Sequence, residues 1–401
     1  MLMSATLGSI ARCKWLGQRS IPTFTEAVSA PYPAVWGESV AEPRGTAGES
    51  RQKVVAMQLH APWSAEAAAD AAVQAARGGA RVLVIRNLVS AAVETWEAVQ
   101  ATGHTELLLH VADGPALHHG RFAPEDRKLL DRAVESALSS DMDRRAPGGV
   151  IIIGTQTLEQ SLDIDADLLI TDLCPADVLL QRIGRLHRHR LPRPAGFERP
   201  RCIVLVPEDG LEKLLAPAFE NGLGGWKKEN VLHGIYRDVS GLELTQRLVR
   251  DHPVWEIPAM NRFLVENATH PDCMDAFHAE MDEKWLRYYQ DVYGKDIADA
   301  GAARNVRLRT DLPFTEALFA RDGEEIRTRL GADGAGLTFA DPVIGPFGAS
   351  ISGVTLPARW SHGLTTDPVE ARRDGNAIHF SAGGQNFRYD RRGLDNASPK
   401  S

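Results

Sequence analysis

Between residues 53 and 208 the chain alternates short, unbroken apolar runs with stretches of helical character. KVVAMQL (53–59), RVLVIRN (81–87), ELLLHVA (106–112), GVIIIGT (149–155), DLLITDL (167–173) and RCIVLVP (201–207) read as strands. Continuous apolar strands lack the in–out alternation of a sheet with one wet face, so both faces must be covered. Helices are expected between them. One covers 64–77, alanine-rich and opened by Ser64 as cap; others cover 89–101 and 124–138, the last with Pro124 at its first position. Strands and helices in this order fold as a parallel sheet clothed on both sides, and ligands are expected beyond the carboxyl ends of its strands.

A chain of 401 residues is long enough for two or three domains and a sizeable core. Residues 1–52 read as the end of a buried strand, Met1 to Thr6, followed by a Pro-, Gly- and Glu-rich linker. Residues 209–401 differ from the alternating region. Helical character with Trp285, Tyr288, Tyr289 and Tyr293 occupies 240–300, and 330–401 carries short alternating runs such as SISGVTLPARW (350–360) and NAIHF (376–380). A smaller α+β accessory domain with β-hairpins is expected there, ending in a frayed DNASPKS.

The net charge of −8 means that nucleic-acid contact must come from a local patch. One candidate is 182–201, where Arg182, Arg185, Arg188, Arg190, Arg193, Arg199 and Arg201 face a single acid, Glu198. The four cysteines, Cys13, Cys174, Cys202 and Cys273, are too scattered for a zinc site or a disulfide framework and fit a reducing cytoplasm. The amino terminus does not read as a signal peptide, and no apolar run reaches membrane-spanning length. His110, His118 and His119 cluster without the carboxylate spacing that would support a metal.

QRIGRLHR (181–188) follows Pro175, a plausible first helical residue. On a helix, Gln181, Arg185 and Arg188 share one stripe, while Leu179, Ile183 and Leu186 share the opposite one. The helix then packs its leucine side inward and offers a glutamine and two guanidiniums. Arginine stays charged and binds phosphate oxygens through paired N–H donors, which suits a γ-phosphate in transfer. Arg182 sits about 100° off this stripe.

The string TQTLEQSLDIDADLLITDLCPADVLLQRIGRLHRH (155–189) resembles motifs V and VI of superfamily 2 helicases, and EQSLDIDAD with DLCPADVLLQRIGRLHRH resembles the type I CRISPR-associated helicase–nuclease family. GVTLPARW and FRYDRRGLD (387–395) resemble that family's C-terminal region. The resemblance implies a RecA-like C-terminal helicase lobe over 53–208, with a smaller α+β domain after it. It makes Gln181, Arg185 and Arg188 the γ-phosphate residues of motif VI, and Asp163 the ribose contact of motif V. It assigns nucleic-acid contact to Thr155, to Gly120 within His119-Gly120-Arg121-Phe122, and to Arg127, which can instead pair with Asp131. Ser4-Ala5-Thr6 resembles motif III. Asn87 resembles motif IV without its threonine, and serves equally as a helix cap. Asp165 and Asp167 read as solvated acids; Glu159 and Gln160 match the family string without an assignable chemistry.

The family is an ATP- and Mg2+-dependent single-stranded DNA translocase and nuclease recruited by an RNA-guided surveillance complex. This sequence contains no GxxxxGK[ST], no His-Asp pair, and an Asp282-Glu283 pair that falls in a helix rather than at a strand end. The resemblance therefore covers the family from motif III onward, with the Mg2+ ligands, first helicase lobe and nuclease domain supplied from elsewhere, and the chain is expected to be inactive alone. Two alternatives stand beside this reading: a non-hydrolysing lobe that binds nucleic acid or a partner, and part of another superfamily 2 helicase such as a DEAH-type RNA motor.

Overall fold

Strands β1 (Lys53–His60), β2 (Arg81–Ile85), β3 (Val150–Gly154), β4 (Leu168–Asp172), β5 (Arg201–Leu205) and β6 (Val254–Ile257) form one sheet in the order β6-β1-β5-β4-β2-β3. The first five are parallel, and β6 adds antiparallel to the edge of β1. This architecture comes from a computed structural model, which describes residues 7–18, 20–37, 44–45, 52–159, 162–215, 223, 225–228, 231–305, 313, 334–361, 363–365 and 367–397. Ser4-Ala5-Thr6 and Gln160 lie outside the described residues.

The helices are α1 (Ser9–Trp15), α2 (Phe24–Ser29), α3 (Ala65–Arg77), α4 (Val89–Ala101), α5 (Pro124–Ala137), α6 (Ala176–Ile183), α7 (Val239–Asp251), α8 (Asn261–Thr269), α9 (Pro271–Glu280) and α10 (Glu283–Asn305). Helix α3 starts where Ser64 Oγ accepts the Ala67 N–H at 3.1 Å and stops at Gly78. Its alanines 68, 69, 72, 75 and 76 are buried, so small side chains let this helix approach the sheet closely. Every residue of β2 and of β4 is buried, as their unbroken apolar runs require.

Three of the expected elements need correction. ELLLHVA is not a strand of this sheet: a 3-10 turn covers Thr105–Leu107, and one parallel bridge joins Leu108 to Ile151 on the edge strand β3. Left-handed backbone at Ala112 and Asp113 (φ 47° and 61°) then turns the chain into a two-residue hairpin of its own, His110–Val111 with Gly114–Pro115. Pro175 is the cap of α6 rather than its first residue. The helical region 240–300 is interrupted by β6, whose Trp255 is fully buried opposite Val55.

The chain divides into two compact units, Met1–His110 with Asp131–Tyr289, and Val111–Leu130 with Gln290–Ser401. The expected boundary after residue 208 is thus displaced, because β6 completes the sheet of the first unit and α7 and α8 pack in that same unit. Within the second unit, β7 (Ala335–Ile344) and β8 (Ser350–Leu356) form a hairpin. Strands β9 (Ala371–Asp374), β10 (Ala377–Ala382), β11 (Gln385–Asp390) and β12 (Gly393–Asn396) form an antiparallel meander. Phe380, Phe387 and Tyr389 point into the core of this unit, and His379, Arg388 and Asp395 form a row on the opposite face.

Gly149, just ahead of β3, tests the close approach of α3. A Cβ there would overlap the Ala76 carbonyl, which is backbone and cannot swing away. Gly149→Ala should cost on the order of 1–3 kcal/mol, the usual range for overpacking. Denaturant unfolding checks this; an unchanged midpoint would mean that α3 does not sit this close.

Candidate nucleotide and nucleic-acid sites

The guanidinium of Arg182, on the last turn of α6, is fully buried. Its Nε donates to Glu159 Oε1 at 2.8 Å, and Nη2 lies 2.7 Å from the same oxygen. Nη1 donates to Thr171 Oγ1 (2.6 Å) and the Asp172 carbonyl (3.2 Å), and Nη2 to Asn87 Oδ1 (3.0 Å) and Tyr236 Oη (3.2 Å). Burial opposes this charge, but the Cys174 thiol, Tyr236 phenol and Glu159 carboxylate around it raise its pKa above the ordinary arginine value. Asp172 extends the network at the end of β4. It accepts Trp63 Nε1 (2.7 Å), Arg86 Nε (2.8 Å) and the Asn87 N–H (2.7 Å). Asn87 is therefore neither a helix cap nor exposed to a ligand: it is buried, and Leu88 holds the cap position of α4.

Past Arg182 the helix ends. Gly184 caps it, 3-10 bonds close Arg185 and Leu186, and His187 turns the chain at φ 46°. The expected single helical stripe is thus broken: Gln181 stands on α6, Arg185 in the turn after it, and Arg188 beyond. Leu179, Ile183 and Leu186 are fully buried, as their spacing requires.

The turn nevertheless brings Arg185 and Arg188 to Asp163. Arg188 Nε lies 2.7 Å from Asp163 Oδ1, and His189 Nε2 lies 3.0 Å from the same oxygen. Arg185, half-buried, donates to the Leu162 carbonyl (2.8 Å) and the Glu159 carbonyl (2.7 Å). Burial and the neighbouring Arg188 lower its pKa, against Asp163 and Glu159. Side-chain exposures of 41% for Arg188 and 61% for Asp163 make their pair weak and easily exchanged for a ligand. This cluster lies at the amino end of β4, where Ala166 bridges Leu186, and not beyond the carboxyl ends as expected. The chain returns along α6 to the beginning of the strand it has just left.

Asp165 and Asp167 are buried rather than solvated. Arg193 clamps both, with Nη1 at 2.7 Å from Asp165 and 2.8 Å from Asp167. Asp165 also accepts the His189 N–H (2.6 Å), so the clamp fixes the segment that carries Arg188. Two of the seven arginines in the expected basic patch, Arg182 and Arg193, are therefore occupied by buried carboxylates. Arg190, Arg199 and Arg201 are exposed.

The three expected nucleic-acid contacts do not share one unit. Thr155, buried, directly follows β3 in the first. Gly120 and Arg127 lie in the second. Gly120 is exposed, with no atom near the place a Cβ would take. Arg127 Nη1 donates to the His119 carbonyl at 3.1 Å. The loop around them is gripped by the last two strands. Leu394 N donates to the Arg121 carbonyl (2.9 Å), His119 Nε2 meets the Arg392 carbonyl (3.0 Å), and Tyr389 Oη accepts the Ala123 N–H (3.1 Å) while donating to Asp126 Oδ2 (2.7 Å). Burial holds His119 neutral, its pKa lowered to about 3. Burial also raises the Asp126 carboxyl to about 6, against the pull of the Tyr389 hydroxyl.

The sequence profile described as CRISPR-associated nuclease/helicase Cas3, C-terminal, matches residues 78–191. The CRISPR-associated endonuclease/helicase Cas3 of Escherichia coli is 31% identical over 266 residues, covering 65% of this chain and 26% of that protein. The Cas3 endonuclease/helicase of Thermus thermophilus is 50% identical over 93 residues, 23% of this chain and 10% of that protein. The chain is similar to the C-terminal part of the Cas3 family. It matches the C-terminal part of Cas3 and spans about a quarter of the length of the Escherichia coli relative, 26%. The crystal structure of T. fusca Cas3-AMPPNP superposes with a TM-score of 0.62 at 19% identity, over 87% of this chain and 43% of that one. This likeness shows the Cas3 fold, a RecA-like parallel-sheet lobe followed by a smaller α+β part. Sequence reasoning missed Asp172 and Tyr236, and gave Glu159 and Arg193 no role in a buried frame. Only their burial, which no local pattern reveals, marks them as parts of the site's frame.

Removing Arg182 leaves Glu159 charged and buried. Arg182→Met should cost roughly 3–5 kcal/mol, the range for breaking one side of a buried pair. Denaturant unfolding reads this, and a loss below about 1 kcal/mol would mean that water reaches Glu159.

In the second unit two groups oppose each other. The His119 pKa lies below its unfolded value of about 6.5, so its contribution to stability is lost as pH falls from there toward 3. The Asp126 pKa lies above its unfolded value of about 3.9, so its contribution is greatest in acid and is lost as pH rises through about 6. Asp126→Asn removes the second effect. Thermal unfolding at about pH 7 and about pH 5 should then show a larger acid loss than wild type. Equal losses would contradict the burial of Asp126.

Proposed function

We propose that this chain supplies the second motor lobe and C-terminal region of an ATP-dependent single-stranded DNA translocase in CRISPR defence. The observation that carries this reading is the meeting of Arg188, Arg185 and Asp163 at one place in the lobe. Asp163 takes the ribose. Arg188 leaves its weak pair with Asp163 to neutralise the γ-phosphate, and Gln181 orients that phosphate or the attacking water. Arg185 stabilises charge from a position fixed by two carbonyls. The phosphate cradle and Mg2+ ligands belong to a first lobe outside this sequence, so the chain alone does not turn over ATP. Thr155 and Gly120 contact the strand backbone, Arg127 adds charge, and an RNA-guided surveillance complex delivers the DNA. The protein works in the cytoplasm, where its thiols stay reduced.

Arg188 is the clean probe, because Arg185 also holds backbone and its loss disturbs the loop. In a protein joining this chain to a first helicase lobe, Arg188→Ala should lower DNA-stimulated ATP turnover by on the order of a thousandfold. Stability should stay within about 0.5 kcal/mol, as for surface substitutions generally. Arg188→Lys should rescue only in part, since lysine keeps the charge and loses the fork. Turnover that holds in both variants would remove Arg188 from the nucleotide site.

A further inference from the structure

The second unit carries a pair of arginines that take no part in the nucleotide cluster or the buried ion-pair frame. The guanidinium carbon of Arg121 lies 5.0 Å from the ring centre of Trp360, and that of Arg359 lies 5.0 Å from the same ring. Arg359 is exposed and Arg121 half-buried, yet among the described residues neither guanidinium has a hydrogen-bond or ion-pair partner. By contrast, Arg182, Arg185 and Arg193 each meet a carboxylate or a carbonyl. Here two like charges share one indole, and each retains its full set of N–H donors. Burial and the nearby Arg359 push Arg121 down to about 10, against Asp395, so it is still charged at neutral pH.

The platform beneath them is fixed. Gln385 Nε2 donates to the Trp360 carbonyl at 3.2 Å, which ties the indole's backbone to β11. The Arg121 carbonyl is held by Leu394 N at 2.9 Å, and the Arg121 N–H donates to His119 Nδ1 at 3.1 Å. At Gly393 a Cβ would overlap the His119 ring, so the turn before β12 seats against this loop only as glycine. Gly120, next in sequence to Arg121, leaves its backbone open on the surface. Two unpartnered guanidiniums on a fixed aromatic support, beside an open glycine, match a phosphodiester that passes across the surface.

We infer that Arg121, Arg359 and Trp360 form a phosphate site for the backbone of single-stranded nucleic acid. This rests on the nucleic-acid reading of the Gly120 loop and adds two charged contacts to it. The arginines grip phosphate oxygens, and Trp360 holds both side chains extended. Recognition through phosphate alone makes the site indifferent to base sequence.

The test uses the full chain and a fluorescein-labelled oligothymidylate, read by anisotropy over a range of NaCl concentrations. Single-strand binding loses about 0.7 in the slope of log affinity against log salt for each phosphate contact removed. Arg121→Gln and Arg359→Gln should each lower the slope magnitude by about that amount, and the double variant by about 1.4. Arg372→Gln, on β9 and three strands away from β12 in the same sheet, removes equal charge and should leave the slope near wild type. If the wild-type chain binds with a normal salt dependence and the Arg121 and Arg359 variants match it, this site is wrong and the wider nucleic-acid reading stands. An equal loss in Arg372→Gln would reduce the effect to net charge and overturn the site. Competition by thymidine monophosphate as strong as that of the oligonucleotide would make it a site for free phosphate esters, not for a strand. No salt-dependent binding by the wild-type chain would end both readings.

Discussion

One buried ion pair, Arg182 with Glu159, joins most of what surrounds the candidate nucleotide site. Its donors reach the end of β2 through Asn87, the end of β4 through Thr171 and Asp172, the loop after β3 through Glu159, and Tyr236 ahead of α7. Four separated segments therefore converge on one side chain. A buried charge so fully paired is costly to disturb from either side. Its position also decides where α6 stops, because the helix must end soon after Arg182 for Arg185 to reach back to the Glu159 carbonyl at 2.7 Å.

Much of the first unit's sheet was legible in the sequence, and the reason is local. VLVI (82–85) and LLI (168–170) are apolar without interruption, and a strand buried on both faces leaves that mark. Ser64 and Pro124 mark helix starts through backbone chemistry that acts within one turn. ELLLHVA shows the limit of such marks. It has the composition of a strand, but the sheet already ends at β3, and the left-handed pair Ala112 and Asp113 folds its last residues into a separate two-residue hairpin. The strand β6 was missed for the opposite reason. VWEI is short and half polar, and only pairing with β1, some two hundred residues earlier, makes it a strand.

The candidate site's residues could be named from the sequence, but their geometry could not. Arg185, Arg188 and Asp163 were expected to act together, and they do meet. The helical stripe that was to bring Arg185 and Arg188 into line ends at Ile183 instead, because Gly184 and the left-handed His187 convert the last turn into a return toward Ala166. Asp165 and Asp167 read as ordinary surface acids because their partner, Arg193, lies in a loop with no periodicity to announce it. Long-range pairing of buried charges is the component that spacing rules do not carry.

The arginines of this chain divide by what their surroundings leave free. Arg86, Arg182 and Arg193 have their donors committed to Asp172, Glu159, Asp165 and Asp167, and they hold the frame. Arg185 is intermediate, spending two donors on carbonyls while its position faces Asp163 and Arg188. Among the described residues, Arg188 has an exposed carboxylate to leave, and Arg121 and Arg359 have no side-chain hydrogen-bond or ion-pair partner. A phosphate that approaches the chain therefore meets little competition at the last three and strong competition at the first three. Net charge is silent on this: the chain carries −8 overall, yet its available positive charge is concentrated where buried acids have not already claimed it. Binding of an anion by an acidic protein then requires no basic surface, only arginines placed where the fold has left their counter-charge out.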